Sequence, residues 1–226
     1  MRAMILAAGR GERMRPLTDQ TPKPLLRVGG KALIEHHLEA LAGSGIHEVV
    51  VNLAWHGDQI RTHLGDGHRW GVAISYSDEG SAALETGGGI FRALPLLGEQ
   101  PFLVVNGDIW TGWRRAGHPA LPDDDDLAHL VLVPNPDHNE AGDFGLRDGR
   151  IVADTRDRHT FAGIGFYRPE LFAGCEDGPF KLAPLLRRAI AVGRVSGELY
   201  LGPWYDIGTP ARLAWLDAHL RHREPS

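Results

Sequence analysis

Short continuous apolar runs alternate along the chain with stretches of helical period. "AMIL" reads as a first strand, and Leu33, Leu38 and Leu41 fall on one face of a helix that ends near Gly43 or Gly45. "EVVVNL" (48–53) predicts a second strand, "DQIRTHL" (58–64) a short helix and "VAISYS" (72–77) a third strand. "GIFRALPLL" starts another helix, and "FLVVNGD" (102–108) and "HLVLVP" (129–134) give the fourth and fifth strands. Strands rich in Val, Ile and Leu on both faces, separated by helices, predict an α/β fold with a mostly parallel sheet covered on both sides.

The second half has a different rhythm. In "FGLRDGRIV", Asp148-Gly149 stands between apolar alternations and predicts a tight hairpin. "FAGIGFY" (161–167) is a buried strand, and "KLAPLLRRAIAVG" (181–193) a helix closed by Gly193, with Pro184 in the tolerant first turn. "TPARLAWLDAHLRH" predicts a terminal helix with Thr209 as N-cap and Pro210 at its first position. Residues 1–226 are expected to form one domain, in which the later strands extend the first sheet and add the hairpin over it. No hexapeptide repeat is seen after the last helix, so no β-helix domain is expected there.

Length and composition narrow the class. The 226 residues are ample for one core and marginal for two. A formal charge of -5, without any Lys/Arg block, argues against nucleic acid as a partner. No run reaches bilayer length and no cleavage pattern follows the N-terminus, so no membrane partner and a cytoplasmic location are expected. Cys175 stands alone and reads as a reduced, structural thiol. "DDDD" (123–126) predicts a solvated loop. The twelve histidines show no His-Glu-x-x-His pattern, and Trp204 and Tyr205 read as core residues, with packing beside the loop of Asp206 as the alternative.

The chemistry concentrates in "LAAGRGERMRPLTDQTPKPLL" (6–26), directly after the first strand. Gly9-x-Gly11 suggests a phosphate-cradling turn, but Met14 occupies the third small position of the dinucleotide fingerprint, and no Gly-Lys-Ser/Thr closes a Walker loop. Pro16, Pro22 and Pro24 exclude a long helix and predict an extended path. Backbone N–H groups near Gly11, with Arg13 and Lys23, suit a triphosphate; solvation of a surface loop is the competing reading.

This segment resembles the G-x-G-x-R-x-x-P-x-T…P-K-P signature of sugar-phosphate nucleotidyltransferases. "VVNGD" and "WYDIGTP" match the same family in the same order, and "ETGGG" looks like its glycine-rich segment. The resemblance covers essentially the whole chain. It implies a Rossmann-like three-layer nucleotidyltransferase fold with a mixed sheet and an added hairpin. It implies an enzyme that uses Mg²⁺ to transfer a uridylyl group from UTP to a sugar 1-phosphate, with N-acetylmuramic acid α-1-phosphate as the expected acceptor in peptidoglycan recycling. A mannose-1-phosphate guanylyltransferase or another pyrophosphorylase of nucleotide sugars is the alternative, and a catalytically silent nucleotide-sugar sensor a second one. By the same resemblance Asp108 and Asp206 hold the metal; a turn residue and a helix-capping neighbour are their local readings. Arg13 holds the leaving pyrophosphate and Lys23 neutralises the α-phosphate, making Arg13, Lys23 and Asp108 the catalytic set. The nucleotide is expected against Leu6, Ala7, Ala8, Gly9, Gly11 and Glu12 on one side and Glu85, Thr86 and Gly87 on the other. Asn106, Asp143 and Asp154 are the candidates for the sugar, although each also suits a local turn. Larger relatives carry a Glu-Lys-Pro whose Lys meets the sugar phosphate; here "VADTRDRHTF" has no Lys, and Arg156 and Arg158 are the nearby cations.

Overall fold

Residues Arg2–Leu6 form strand β1, and its side chains separate with a period of two. Ala3 and Ile5 enter one core and Met4 the other, all of them fully buried. The computed structural model describes residues 1–80, 83–115, 121–153 and 156–222. After the glycine loop come a short ribbon, β2 (Arg27–Val28) and β3 (Lys31–Ala32), and helix α1 (Leu33–Gly43). Glu35 reaches back to accept from the Ala32 N–H at 2.7 Å, which satisfies one free donor at the start of α1. Then follow β4 (Glu48–Leu53), α2 (Gly57–Leu64), β5 (Ala73–Asp78), α3 (Glu85–Leu97) and β6 (Phe102–Asn106).

The strands β5, β4, β1 and β6 lie side by side and parallel, as the apolar runs predict. Helices α1 and α2 cover one face, where Ile34, Leu38, Ile60 and Leu64 meet Ile5, Val51 and Val105. Helix α3 covers the other with α4 (Leu182–Ala191), packing Ile90, Ala93, Leu185 and Leu186 on Met4, Val50 and Val104. Each fully buried Leu or Ile contributes about 1.5–3 kcal/mol, so the paired cores account for the three-layer arrangement.

Beyond β6 the sheet is mixed. The remaining strands are β7 (Ile109–Thr111), β8 (Ala128–Val133), β9 (Phe144–Arg147), β10 (Arg150–Val152), β11 (Arg158–Tyr167), β12 (Val195–Leu199) and β13 (Trp204–Asp206). The long β11 runs antiparallel to both β6 and β8, and β12 is parallel to β8. The β9–β10 hairpin turns at Asp148 (φ 50°) and Gly149 (φ 74°), the left-handed pair such a turn requires. Instead of lying over the sheet, the hairpin continues its edge, with β10 on β12 and β9 also on β11. β12 gave no strand signal because its centre is Ser196-Gly197. Glycine fits there because a Cβ would stand 2.9 Å from the Leu130 carbonyl oxygen on the neighbouring strand.

Two further readings change. Helix α3 begins at Glu85, before the glycine triplet, so Gly87, Gly88 and Gly89 lie inside the helix and are buried. Asp126 leaves the solvated aspartate block: it is 1% exposed, paired with Arg150 at 2.7 Å. Asp154 lies outside the described residues. The terminal helix α5 (Pro210–Arg221) forms as predicted, with Thr209 Oγ1 accepting from the Arg212 N–H at 3.3 Å. Leu213 and Leu216 of α5 close a third core with Met14, Leu26, Val28 and Ile207, which docks the last helix beneath the opening loop.

Candidate active site

The carboxyl ends of β1 and β6 and the start of α3 surround an open cavity of about 570 Å³. This is the edge at which open α/β sheets bind ligands. Leu6, Ala7, Ala8, Gly9, Gly11, Glu12, Arg13 and Lys23 line it from the opening loop, Glu85 and Thr86 from α3, and Asn106 and Asp108 from the end of β6. Among the described residues of this lining there is no Ser, Cys or His. Cations, acids, amides and glycine backbone suit it to binding and orienting polyanions.

The loop is not extended throughout. It makes two single 3₁₀ turns, Glu12–Met14 and Lys23–Leu25, each stopped from growing by nearby proline. Gly11 (φ 64°) starts the first turn, and its carbonyl accepts from Met14 N–H and Thr18 Oγ1, both at 2.8 Å. A Cβ at this position would stand 3.0 Å from Thr18 Cγ2 and 3.2 Å from Lys23 Cβ, so both conformation and space demand glycine. Met14 plugs the third core, which leaves its neighbour Arg13 turned outward. Trp55 Nε1 and Gln59 Nε2 donate to the carbonyls of Thr18 and Gln20 and brace the loop from behind.

Lys23 is the buried cation of the site, and its Nζ donates to Asp108 Oδ2 at 2.9 Å. Asp108 reaches the cavity because Gly107 lets β6 close on β1: a Cβ on Gly107 would sit 2.5 Å from the Leu6 carbonyl oxygen. Asn106 is set beside it by a bulge in β11, where a Cβ on Gly163 (φ 74°) would stand 2.7 Å from Asn106 Nδ2.

Asp206 approaches from the other end of the chain. β13 pairs with β7 so that Asp206 opposes Ile109, and Ile207 N–H donates to the Asp108 carbonyl at 2.9 Å. The two acids are therefore close along the backbone, one position out of register with each other. Their side chains diverge: Asp206 Oδ2 takes Arg212 at 2.7 Å and His138 at 3.0 Å, in an adjoining cavity of about 320 Å³ walled by Trp204, Tyr205 and Trp215. Gly208 links the two spaces, its Cβ direction passing 3.1 Å from Asp206 Oδ2 and 3.4 Å from Arg13 Nη1.

Two expected contacts fall elsewhere. Gly87 is packed under Phe180 and does not line the cavity; a Cβ there would be 2.5 Å from the ring. Asp143 lines neither cavity, its Oδ2 accepting from Phe161 N–H at 2.8 Å and Asn139 Nδ2 at 3.2 Å. The structure also brings in two residues that sequence reading passed over, Asn52 and Glu79, both buried polar groups lining the cavity floor. The available signal was an amide inside the apolar run "EVVVNL" and an acid directly after β5. Behind Asp108, His37 is buried and neutral. Burial lowers its pKa to about 4, aided by His36, while a bond to the Ile109 backbone and the charge of Asp108 oppose the shift.

Comparison with known proteins shows the family. The family model described as "Nucleotidyl transferase" matches residues 2–155. The chain is 54% identical over 223 residues to a Neisseria meningitidis protein named N-acetylmuramate alpha-1-phosphate uridylyltransferase, covering 94% of this chain and 95% of that one. It is 40% identical to a Caulobacter vibrioides protein of the same name, covering 94% of each. HddC from Yersinia pseudotuberculosis, solved with GMP-PN, superposes with a TM-score of 0.80 at 19% identity, covering 96% of this chain and 98% of that one, which bears on the fold alone.

Proposed function

The chain belongs to the nucleotidyl transferase family, and from that premise we propose that it transfers a uridylyl group from UTP to N-acetylmuramic acid α-1-phosphate, releasing pyrophosphate and a UDP-sugar. The observation that carries the substrate choice is the identity of 54% over nearly the whole of a protein bearing that name. The 2.9 Å Lys23–Asp108 contact inside a glycine-lined, solvent-open cavity supports the phosphate chemistry.

A phosphate monoester has a second pKa of about 6 and is largely dianionic at neutral pH, so the attacking oxygen needs no general base. That agrees with a lining that offers no histidine among its described residues. The work left to the protein is to align two polyanions and offset charge as it moves to the leaving group. Lys23 neutralises the α-phosphate, and Arg13, exposed at the rim, holds the departing pyrophosphate. The base lies between Leu6–Gly9 and the first turn of α3, and Asn106 meets the sugar. The donor set suits Mg²⁺, which takes hard oxygen ligands and completes its shell with water and phosphate. Asp108 stands in the turn that leads into β7 and Asp206 on β13, which pairs with β7, and the ion pairs of both fall on Oδ2. Asp108 and Asp206 would hold the ion, which when bound polarises the phosphate oxygens and offsets their charge. No helix among the described residues is long and apolar enough to cross a membrane; the reaction belongs to the cytoplasmic recycling of peptidoglycan.

A panel of UTP, GTP, dTTP and ATP against N-acetylmuramic acid α-1-phosphate, N-acetylglucosamine 1-phosphate and mannose 1-phosphate, read as pyrophosphate release, tests the reading. UTP with the muramic acid derivative should be fastest. Preference for GTP with mannose 1-phosphate would overturn it.

A further inference from the structure

Asn52 and Glu79 form part of the cavity floor at 3% and 5% exposure, and the chemistry above uses neither. They link two walls that are far apart in the chain. Ala7 N–H donates to Asn52 Oδ1 at 2.7 Å, Asn52 Nδ2 donates to Glu79 Oε1 at 2.5 Å, and Leu84 N–H donates to Glu79 Oε2 at 2.8 Å. Ala7 opens the glycine loop, and Leu84 immediately precedes α3, whose Glu85 and Thr86 line the opposite wall. Helix α3 leaves room for the carboxylate, since a Cβ on Gly89 would stand 2.5 Å from Glu79 Oε1.

A buried amide–carboxylate pair is costly to desolvate, and an apolar pair of similar shape would hold the fold at less cost. What the polar pair adds is direction: each bond has a fixed length and angle, so the loop of β1 and the start of α3 keep one separation. We propose that the Asn52–Glu79 pair is a positioning element that sets the width of the nucleotide slot, and through it the affinity for the base and the discrimination between bases. The inference rests on the reading that this slot holds a nucleotide.

The pair can be inverted. Asn52→Asp alone places two carboxylate oxygens where an amide met a carboxylate. Glu79→Gln alone leaves Asn52 Nδ2 facing an amide in place of its carboxylate acceptor. In the double variant Asn52→Asp/Glu79→Gln, the carboxylate now on β4 accepts from Ala7 N–H and from the amide now following β5. The oxygen of that amide accepts from Leu84 N–H. All the bonds return with the central one reversed.

Nucleotide affinity by calorimetry without acceptor, the KM for each substrate, and the melting temperature are measured for all three variants. The triphosphate used is the one the unmodified enzyme prefers. Each single change should weaken nucleotide binding about ten- to a hundredfold and leave the sugar-phosphate KM within roughly twofold, and the double variant should recover to within roughly threefold. Unchanged nucleotide affinity in the singles, a double variant no better than the weaker single, or equal loss for both substrates would each overturn the inference. If Asn52→Asp fails to fold, Glu79→Gln against the double variant carries the same comparison. Preference of the unmodified enzyme for a base other than uracil would overturn the uridylyl reading and leave this test standing.

Discussion

Replacing Lys23 with methionine keeps most of the side-chain stem and removes the charge that meets Asp108. The Nζ–Oδ2 distance is 2.9 Å, with side-chain exposures of 10% for Lys23 and 41% for Asp108. Because the acid is substantially exposed, water can solvate it once the cation is gone. The cost to folding is therefore expected to be at most about 1 kcal/mol, the range of a screened ion pair. The cost to the reaction is larger, because a fixed charge aimed at a transferring phosphoryl group acts where water is displaced by substrate. Loss of one such donor raises a barrier by about 2.7–4 kcal/mol, which is roughly a hundred- to a thousandfold in kcat. Urea denaturation and pyrophosphate release, measured on the same preparation, separate the two effects. Lys23→Arg is not expected to rescue, since a planar fork does not reproduce the compact charge that meets Asp108 at 2.9 Å. A methionine variant that keeps more than about a tenth of the activity, or that loses more than about 3 kcal/mol of stability, would refute the assignment.

His37 makes stability depend on pH. Its pKa falls from 6.5 to about 4 on folding, so the unfolded chain binds the proton more tightly, and stability is complete above pH 6.5 and declines as pH falls toward 4. The loss should be about 2 kcal/mol at pH 5 and approach about 3 kcal/mol near pH 4. Denaturation curves at pH 7.5 and pH 5 should show this loss in the unmodified protein and less of it in His37→Gln; equal losses would remove His37 as the cause. Gly88→Ala would drive a Cβ into the Gly178 carbonyl oxygen and to 3.0 Å from Leu84 Cβ. The helix must then shift, at about 1–3 kcal/mol. The melting temperature should fall and the nucleotide KM should rise, because Glu85 and Thr86 move with the helix; a variant that melts and binds like the unmodified protein would show that this packing is not tight.

Features whose cause lies within a few residues were legible from the chain alone. The apolar runs marked the parallel strands because both faces of the sheet are buried. Asp148-Gly149 and Thr209-Pro210 announced a turn and a helix start through their own backbone preferences. The loop with Gly11, Arg13 and Lys23 was recognisable because its glycines and prolines restrict the backbone locally. The rest depended on which distant segments meet. The glycine triplet looked like a ligand contact, yet its neighbours are Phe180, Gly178 and Glu79. Asp126 looked solvated until the hairpin brought Arg150 to it. Asn52 and Glu79 acquired partners only when β1, β4 and the start of α3 packed together, and Asp206 came beside Asp108 only through the β7–β13 pairing. Local dihedral preference and hydrophobic period are written residue by residue, whereas the distance between backbones far apart in sequence is decided by how the layers pack, and that packing set which polar groups share the site.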